Sequence, residues 1–340
     1  MPSTYRSMQV DEANGAFHLV EKEAPEPGRR HVRVAVEACG ICHSDAMFAA
    51  GHMPGVTFPL VPGHEIAGRI DAIGDDVEGF DVGQRVGIGW FGGHCGHCVP
   101  CREGDFINCA ELQTPGLSYP GGYADVVIVP ASALARIPDE FTAAEAAPMG
   151  CAGVTVFNAL RRSAARPGEL VAILGLGGLG HLGVQFAAKL GFETVAIARG
   201  AGKQPAAHEL GAQHYIDSQA QDVAAELQAL GGAKVVLATV TDSAAMTNTI
   251  GGLTHRGELI VVGVSAEPLS ISPLSLISGC KKVYGHASGT SRDIEETLQF
   301  AALTGVRPLI EQAPLEDAAL AFDKMLSGNA RFRMVLTTGS

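Results

Sequence analysis

No stretch of this sequence is apolar for long enough to cross a bilayer. Its most apolar region, LVAILGLGGLGHLGVQFAAKLG, is broken by glycines, His181 and Lys189, which makes it a poor span. The first twenty residues, MPSTYRSMQVDEANGAFHLV, lack the apolar run of a secretory leader, so the expected location is the reducing cytoplasm. Basic clusters are missing too. Lys and Arg number 24 against 36 Asp and Glu, a formal charge of −12, which argues against nucleic acid as the main partner. What the chain has instead is 46% hydrophobic residues and 43 glycines, the composition of a soluble globular protein with ample core and many tight turns. Its 340 residues suffice for about two domains.

The eight cysteines are unevenly placed. Six lie between Cys39 and Cys109, and four fall within GGHCGHCVPCREGDFINC as Cys95-x2-Cys98-x2-Cys101-x7-Cys109. In a reducing compartment stable disulfides are rare, and clustered cysteines more often bind metal. Two C-x-x-C steps that share a cysteine are also poorly placed for two separate bridges. Four thiolates match the closed tetrahedral set of a structural zinc, so this segment reads as a clip for a lobe, with a disulfide or redox role as the alternative.

Two halves differ in period. HVRVAVE (31–37) alternates polar and apolar as a half-buried strand does, and GRIDAIG, QRVGIGW and YADVVIVP continue in short strand-like pieces with antiparallel character. Thr142 is a candidate helix N-cap, with Glu145 three residues on. From Glu169 the pattern changes: ELVAILG, ETVAIA, KVVLATV, GELIVVGV and KKVYGHA alternate with helical stretches. Continuous apolar strands alternating with helices predict βαβ units and a parallel sheet covered on both faces. The chain closes on a helix, SRDIEETLQFAALTG, and a strand, RFRMVLTT.

The turn after the first of these strands reads Gly175-Leu176-Gly177-Gly178-Leu179-Gly180. It follows an apolar strand and opens a helix, the context that turns a weak motif into a dinucleotide site. Gly175 permits the tight turn, Gly177 lets the backbone approach a pyrophosphate, and Gly180 allows close helix–sheet packing. The second strand ends VAIARGAGK. Where an NAD site offers an acid to the ribose, this chain has Ala198, then Arg199, with Lys203 four residues on. A missing carboxylate and a guanidinium favour a 2′-phosphate, hence NADP(H) over NAD(H); the plainer reading of both cations is solvated surface charge.

A second set comprises Cys39, Cys42, His43, His64 and Glu65, in EACGICHSD and VPGHEIAG, together with Cys151 in PMGCAGVT. All of the first five are expected in turn-rich segments. A catalytic zinc needs three protein ligands and an open position, and Cys2His is one such set. Taken singly each residue has a plainer reading: Cys151 as a small buried hydrophobe, His64 as a turn residue after Gly63.

Through CGICHSD, GHE, the four-cysteine lobe, CAGVT, GLGGLG and ARFRMVL, the chain resembles the zinc-dependent medium-chain alcohol dehydrogenases along essentially its whole length. The resemblance implies an α/β fold: a Rossmann-type parallel-sheet coenzyme domain over 153–287, and a β-rich, GroES-like catalytic domain over 1–152 and 288–340 that carries the zinc lobe. It implies Cys42, His64 and Cys151 as catalytic-zinc ligands, Asp45 orienting His64 with Glu65 nearby, and Cys95, Cys98, Cys101 and Cys109 as structural-zinc ligands. Cys39 and Cys280 match no ligand and are read as packing. Ser44 matches the hydroxyl that takes the alcohol proton. His43 and Arg331 match pyrophosphate contacts, Thr155 a neighbour of the nicotinamide, and Gly178 and Leu179 belong to the phosphate turn. Many relatives carry a histidine five residues after the catalytic cysteine; Met47 stands there, which leaves proton exit to water, cofactor hydroxyls or another group.

Trp90, Phe91 and Tyr119 fall in segments that line the alcohol site in similar proteins, and an aromatic wall suits aliphatic or benzylic primary alcohols; ordinary core is the alternative for Trp90. The expected activity is therefore hydride transfer between a primary alcohol and NADP(H) or NAD(H). Against it stand a polyol or sugar dehydrogenase of the same fold, disfavoured by Cys151, and a non-catalytic NADP-sensing zinc protein, disfavoured by the intact ligand set. By analogy with relatives of this size the chain forms a homo-oligomer, a tetramer first and a dimer second.

Overall fold

The computed structural model describes residues 4–339. Spatial contacts divide the chain into two units, Met1–Val154 with Ser288–Ser340, and Thr155–Ala287. In chain order the strands are β1 (Thr4–Gln9), β2 (His18–Glu23), β3 (His31–Gly40), β4 (Glu65–Ile73), β5 (Arg85–Ile88), β6 (Val126–Pro130) and β7 (Ala135–Arg136). There follow β8 (Leu170–Leu174), β9 (Glu193–Ala198), β10 (His214–Asp217), β11 (Ala233–Ala238), β12 (Leu253–Val261), β13 (Lys282–Gly285), β14 (Ile310–Pro314) and β15 (Arg333–Thr337).

The first unit is built on a seven-stranded sheet ordered β14-β15-β3-β4-β5-β7, with β6 added to β3. β3 is its hub, pairing antiparallel with β4, β6 and β15. The alternation in HVRVAVE predicts Arg33 on a wet face, yet its side chain is buried, with Nε 2.9 Å from Asp71 Oδ1. β3 is sandwiched more fully than its pattern suggests, and the charge is accommodated because it is paired. Thr142 does cap the helix Ala143–Ala146: its Oγ1 accepts from Glu145 N at 3.2 Å while Glu145 Oε2 accepts from Thr142 N at 2.9 Å. The reciprocal bonds satisfy donors that a helix start otherwise leaves open.

The second unit is a six-stranded parallel sheet ordered β10-β9-β8-β11-β12-β13. This is the doubly wound order, with the switch point between β8 and β11. β8 (LVAIL) is buried at every position, as a strand with helices on both faces must be. Each of its large aliphatic side chains contributes about 1.5–3 kcal/mol by leaving water.

Two expectations change. The segment after Cys42, read as turn-rich, is the helix His43–Ala49, and Cys39 and Glu65 lie on β3 and β4. Cys39 is buried in the core of the first unit. Cys280, read as packing, is exposed with φ +52. It sits in the turn between the helix Pro273–Ile277 and β13, where a left-handed backbone carries the side chain away from the sheet.

Candidate active site

β3 ends at Gly40, and Cys42 caps the helix that follows. The turn Pro62-Gly63 delivers His64 to the start of β4. Gly63 has φ +105, and a Cβ there would meet Tyr123 Cδ1 at 2.6 Å and Cys39 Sγ at 2.8 Å, so only glycine fits. Cys151 follows the short 3-10 turn Ala147–Gly150. The two sulfurs, one imidazole nitrogen and one oxygen of Glu65 lie within 4.8 Å of one another. Three separate segments thus converge on one buried point.

Asp45 organises it. The carboxylate is fully buried, and its Oδ1 lies 3.0 Å from His64 Nδ1 and accepts from Gly63 N at 3.2 Å, while Oδ2 accepts from Cys42 N at 2.8 Å. An acceptor-only carboxylate on Nδ1 fixes that nitrogen as an N–H, so Nε2 is the ring nitrogen left to ligate a metal when it carries no proton. His64 Nε2 is buried and has no hydrogen-bond partner of good geometry. A buried nitrogen left so calls for an explanation, and an imidazole with a carboxylate behind it is how metal-ligating histidines are held.

The two sulfurs differ in acidity. The Cys42 thiol lies well below its ordinary value because Cys151 donates to it and His64 stands beside it, burial opposing. Cys151 is pushed well above by the same hydrogen bond and by burial. Burial also raises Glu65 to about 7, although the Arg333 guanidinium pulls the other way. Both Glu65 oxygens accept from Arg333 Nη2. Gly40 lies directly opposite, where any Cβ would run into that carboxylate.

Around Cys95 the geometry is different. Cys109 Sγ is 3.6 Å from Cys95 Sγ and 3.9 Å from Cys98 Sγ, and the four ligand atoms of Cys95, Cys98, Cys101 and Cys109 lie within 4.8 Å. A disulfide needs about 2.05 Å. Four sulfurs about 2.3 Å from a zinc ion stand about 3.8 Å apart at the corners of a tetrahedron. Backbone N–H groups of Cys95, Cys98 and Glu111 point at these sulfurs at 3.3–3.4 Å, as favours thiolates.

In the second unit Gly175 has φ +102 and lies against Thr239 and Val240. A Cβ on Gly180 would strike the Gly175 carbonyl, whereas one on Gly177 would enter open space. The helix Gly180–Lys189 begins here, so backbone N–H groups at its start are available to a phosphate.

The chain matches two family descriptions, "Alcohol dehydrogenase GroES-like domain" over residues 28–139 and "Zinc-binding dehydrogenase" over 178–302. It is 43% identical over 336 residues to alcohol dehydrogenase patD of Penicillium expansum, covering 99% of this chain and 98% of that protein. Among solved structures it is similar to a cinnamyl alcohol dehydrogenase (SbCAD4) of Sorghum bicolor, with TM-score 0.91, 30% identity and coverage of 98% and 97%. It is likewise similar to a CAD from Helicobacter pylori complexed with NADP(H), with TM-score 0.88, 26% identity and coverage of 99% of both chains.

The chain belongs to the zinc-dependent medium-chain alcohol dehydrogenases. It is an alcohol oxidoreductase that uses zinc and a nicotinamide cofactor.

Of the remaining candidate residues of this dehydrogenase, Ser44 and Trp90 lie beside the cysteine–histidine centre. Ser44 Oγ is 3.8 Å from Cys42 Sγ. His43 is exposed at the first position of its helix, and Thr155 is buried in Ala152–Arg161. Arg331 is turned onto its own loop, its Nη1 donating to the Gly328 and Ala330 carbonyls at 3.3 and 3.1 Å. The arginine at the cysteine–histidine centre is Arg333, two residues on, which the sequence reading passed over. Trp90 stands edge-on to His64, ring centroids 5.3 Å apart, and 5.8 Å from Phe48. Phe48 is fully buried and was not anticipated either. Phe91 is buried, with its ring 5.6 Å from that of His94, and Tyr119 Oη donates to the Gly92 carbonyl at 2.8 Å. Arg199 follows the last residue of β9 and is exposed; among the described residues it makes no hydrogen bond or ion pair. Lys203 ends the turn Ala201–Lys203.

No helix of the described residues is long and apolar enough to cross a membrane.

Proposed function

We propose that this dehydrogenase interconverts aliphatic or benzylic primary alcohols and their aldehydes with NADP(H), using a catalytic zinc on Cys42, His64 and Cys151 and a structural zinc on Cys95, Cys98, Cys101 and Cys109. The observation that carries the reading is the convergence of two sulfurs and the unpartnered His64 Nε2 on one buried point. Glu65 is near enough to be a fourth donor, but both its oxygens are engaged by Arg333. That leaves three ligands and an open position, the arrangement of a catalytic rather than a structural zinc site.

Zinc in that site supplies the Lewis acidity that brings a hydroxyl within reach of deprotonation near neutral pH. The reaction turns an alcohol and the oxidised nicotinamide into an aldehyde, the reduced cofactor and one proton. Cys42 and Cys151 supply the negative charge that would hold the ion, and Asp45, bonded to His64 Nδ1, keeps the ring turned so that Nε2 faces the site. Ser44 accepts the alcohol proton and passes it outward; with Met47 where relatives carry histidine, its onward route uses water or cofactor hydroxyls. Trp90 and Phe48 form an apolar wall beside His64, favouring uncharged substrates.

NADP(H) is favoured because Ala198 removes the carboxylate and Arg199 offers a free guanidinium. We assign His43, Thr155 and the turn Gly175–Gly180 to the cofactor as well, and the protein to a reducing cytoplasm in which its thiols stay available to metal. A homotetramer rests on family analogy alone. Purified enzyme should contain two zinc ions per chain and reduce benzaldehyde with NADPH. Failure of chelation to abolish turnover, or a higher kcat/KM with NAD(H), would overturn the zinc or the cofactor assignment respectively.

A further inference from the structure

Tyr123 lies 78 residues beyond Asp45 in the chain, yet its hydroxyl donates to Asp45 Oδ2 at 3.3 Å. Its side chain is fully buried, and Phe17 packs on it with ring centroids 6.1 Å apart. A buried phenol has to find a partner, and this one finds the carboxylate that stands behind His64. With it, Asp45 is filled on both oxygens: Gly63 N and His64 Nδ1 on Oδ1, Cys42 N and Tyr123 Oη on Oδ2.

The same stretch holds the loop from outside. Gly121 N donates to Val61 O at 2.8 Å, Tyr123 N to Pro62 O at 3.0 Å, and Gly122 N to Gly63 O at 2.8 Å. Three consecutive residues therefore strap the segment that delivers His64, and the third also grips the residue that orients it. The glycine at 63 is what lets the Tyr123 ring come so close.

We propose that Tyr123 is a positioning residue for the catalytic zinc, acting through Asp45 to hold His64 in its ligating orientation. The proposal rests on the assignment of zinc to Cys42, His64 and Cys151. Removing the hydroxyl leaves Asp45 Oδ2 with one donor and freer to turn. Groups bonded directly to a ligating histidine, as Asp45 is, change metal affinity by roughly 10–100-fold, and Tyr123 acts one bond further out. A 3.3 Å bond is long for O–H···O, which sets the expectation at the lower end, about tenfold.

The experiment follows the release of zinc from purified holoenzyme to a chromogenic chelator, which reads metal retention independently of turnover. Wild type should release two ions in separate phases. In Tyr123→Phe the phase belonging to Cys42, His64 and Cys151 should quicken about tenfold. The phase from the four-cysteine lobe serves as internal reference and should not move. Tyr5→Phe, whose hydroxyl does not bond Asp45, should leave both phases alone. In an Asp45→Asn background, Tyr123→Phe should add nothing, because its route to His64 is already cut. Equal release rates for Y123F and wild type, or effects that multiply in the double variant, would overturn the role given to Tyr123. A wild-type enzyme that releases a single ion would instead overturn the catalytic-zinc assignment beneath it. If Y123F does not fold, 3-fluorotyrosine at position 123 keeps the ring and strengthens the donor; it should slow release, and unchanged or faster release counts against the proposal.

Discussion

Arg333 and Glu65, 268 residues apart in the chain, form an ion pair inside the first unit, with side-chain exposures of 4% and 0%. Neither charge has water to fall back on, so each depends on the other. Burial works against the Arg333 charge, but Glu65, with Cys42 and Cys151 beside it, more than offsets that and holds the guanidinium above its ordinary pKa. Arg333→Met should therefore destabilise the protein by about 3–5 kcal/mol, the usual cost of orphaning one member of a buried pair. Joint replacement with Glu65→Leu should recover most of the loss. Urea midpoints of the two variants and wild type decide it, and a single variant as stable as wild type would show that the pair is not what the core depends on.

Glu258 on β12 is another buried carboxylate, in the other unit, and its pKa moves down where that of Glu65 moves up. Burial works against its charge, yet the Ala164 N–H, Lys282 and Tyr284 together hold its pKa below the ordinary carboxylate range. The unfolded chain therefore takes up the proton more readily than the folded one. Its contribution is complete above the unfolded carboxylate range, and it is lost as pH falls through the folded value. Stability should drop on acidification from pH 6 to below 4. Glu258→Gln should be less stable at pH 6 and flatter over that interval. Parallel curves for the two proteins would exclude Glu258 as a source of the acid sensitivity.

Much of this was legible in the sequence because the signals are local. ELVAILG followed by GLGGLG specifies strand, turn and helix within about twenty residues, since a fully buried strand must be apolar throughout and a tight turn must carry glycine. Thr142 and Glu145 cap each other across three residues. What escaped depends on partners far along the chain. Nothing near RFRMVL says that Arg333 rather than Arg331 meets Glu65, and nothing in GGYADV announces that Tyr123 reaches Asp45. The helix His43–Ala49 was missed because its cap is a cysteine, outside the residues that usually mark a helix start, and because seven residues are too few to display a period.

The four-cysteine lobe makes a prediction separate from catalysis. If its sulfurs hold a zinc ion only to keep the lobe folded, Cys101→Ser should reduce zinc from two ions per chain to one. The segment 92–113 should then become the first site of proteolysis, because metal binding there is folding free energy. Turnover per remaining zinc should change far less than the lobe's protease resistance. Full zinc content in the variant would refute the ligand assignment.

Arg199 gives the last test. It is exposed, makes no bond among the described residues, and follows Ala198 at the end of β9. The corner it stands on is braced from β10: Gly200 N donates to Asp217 Oδ1 at 2.7 Å, and Tyr215 Oη donates to the Gly200 carbonyl at 2.6 Å. A guanidinium on a fixed corner can meet a 2′-phosphate without first being released from another partner. Hydrogen bonds to a charged group contribute about 1.5–3 kcal/mol. Arg199→Ala should accordingly lower kcat/KM for NADPH at least about tenfold, mainly through KM, and leave that for NADH nearly unchanged. The loss should shrink as salt rises, since an exposed ion pair is screened. Equal losses with both cofactors would mean that Arg199 holds the fold of the corner, and the preference for the phosphorylated dinucleotide would need another source.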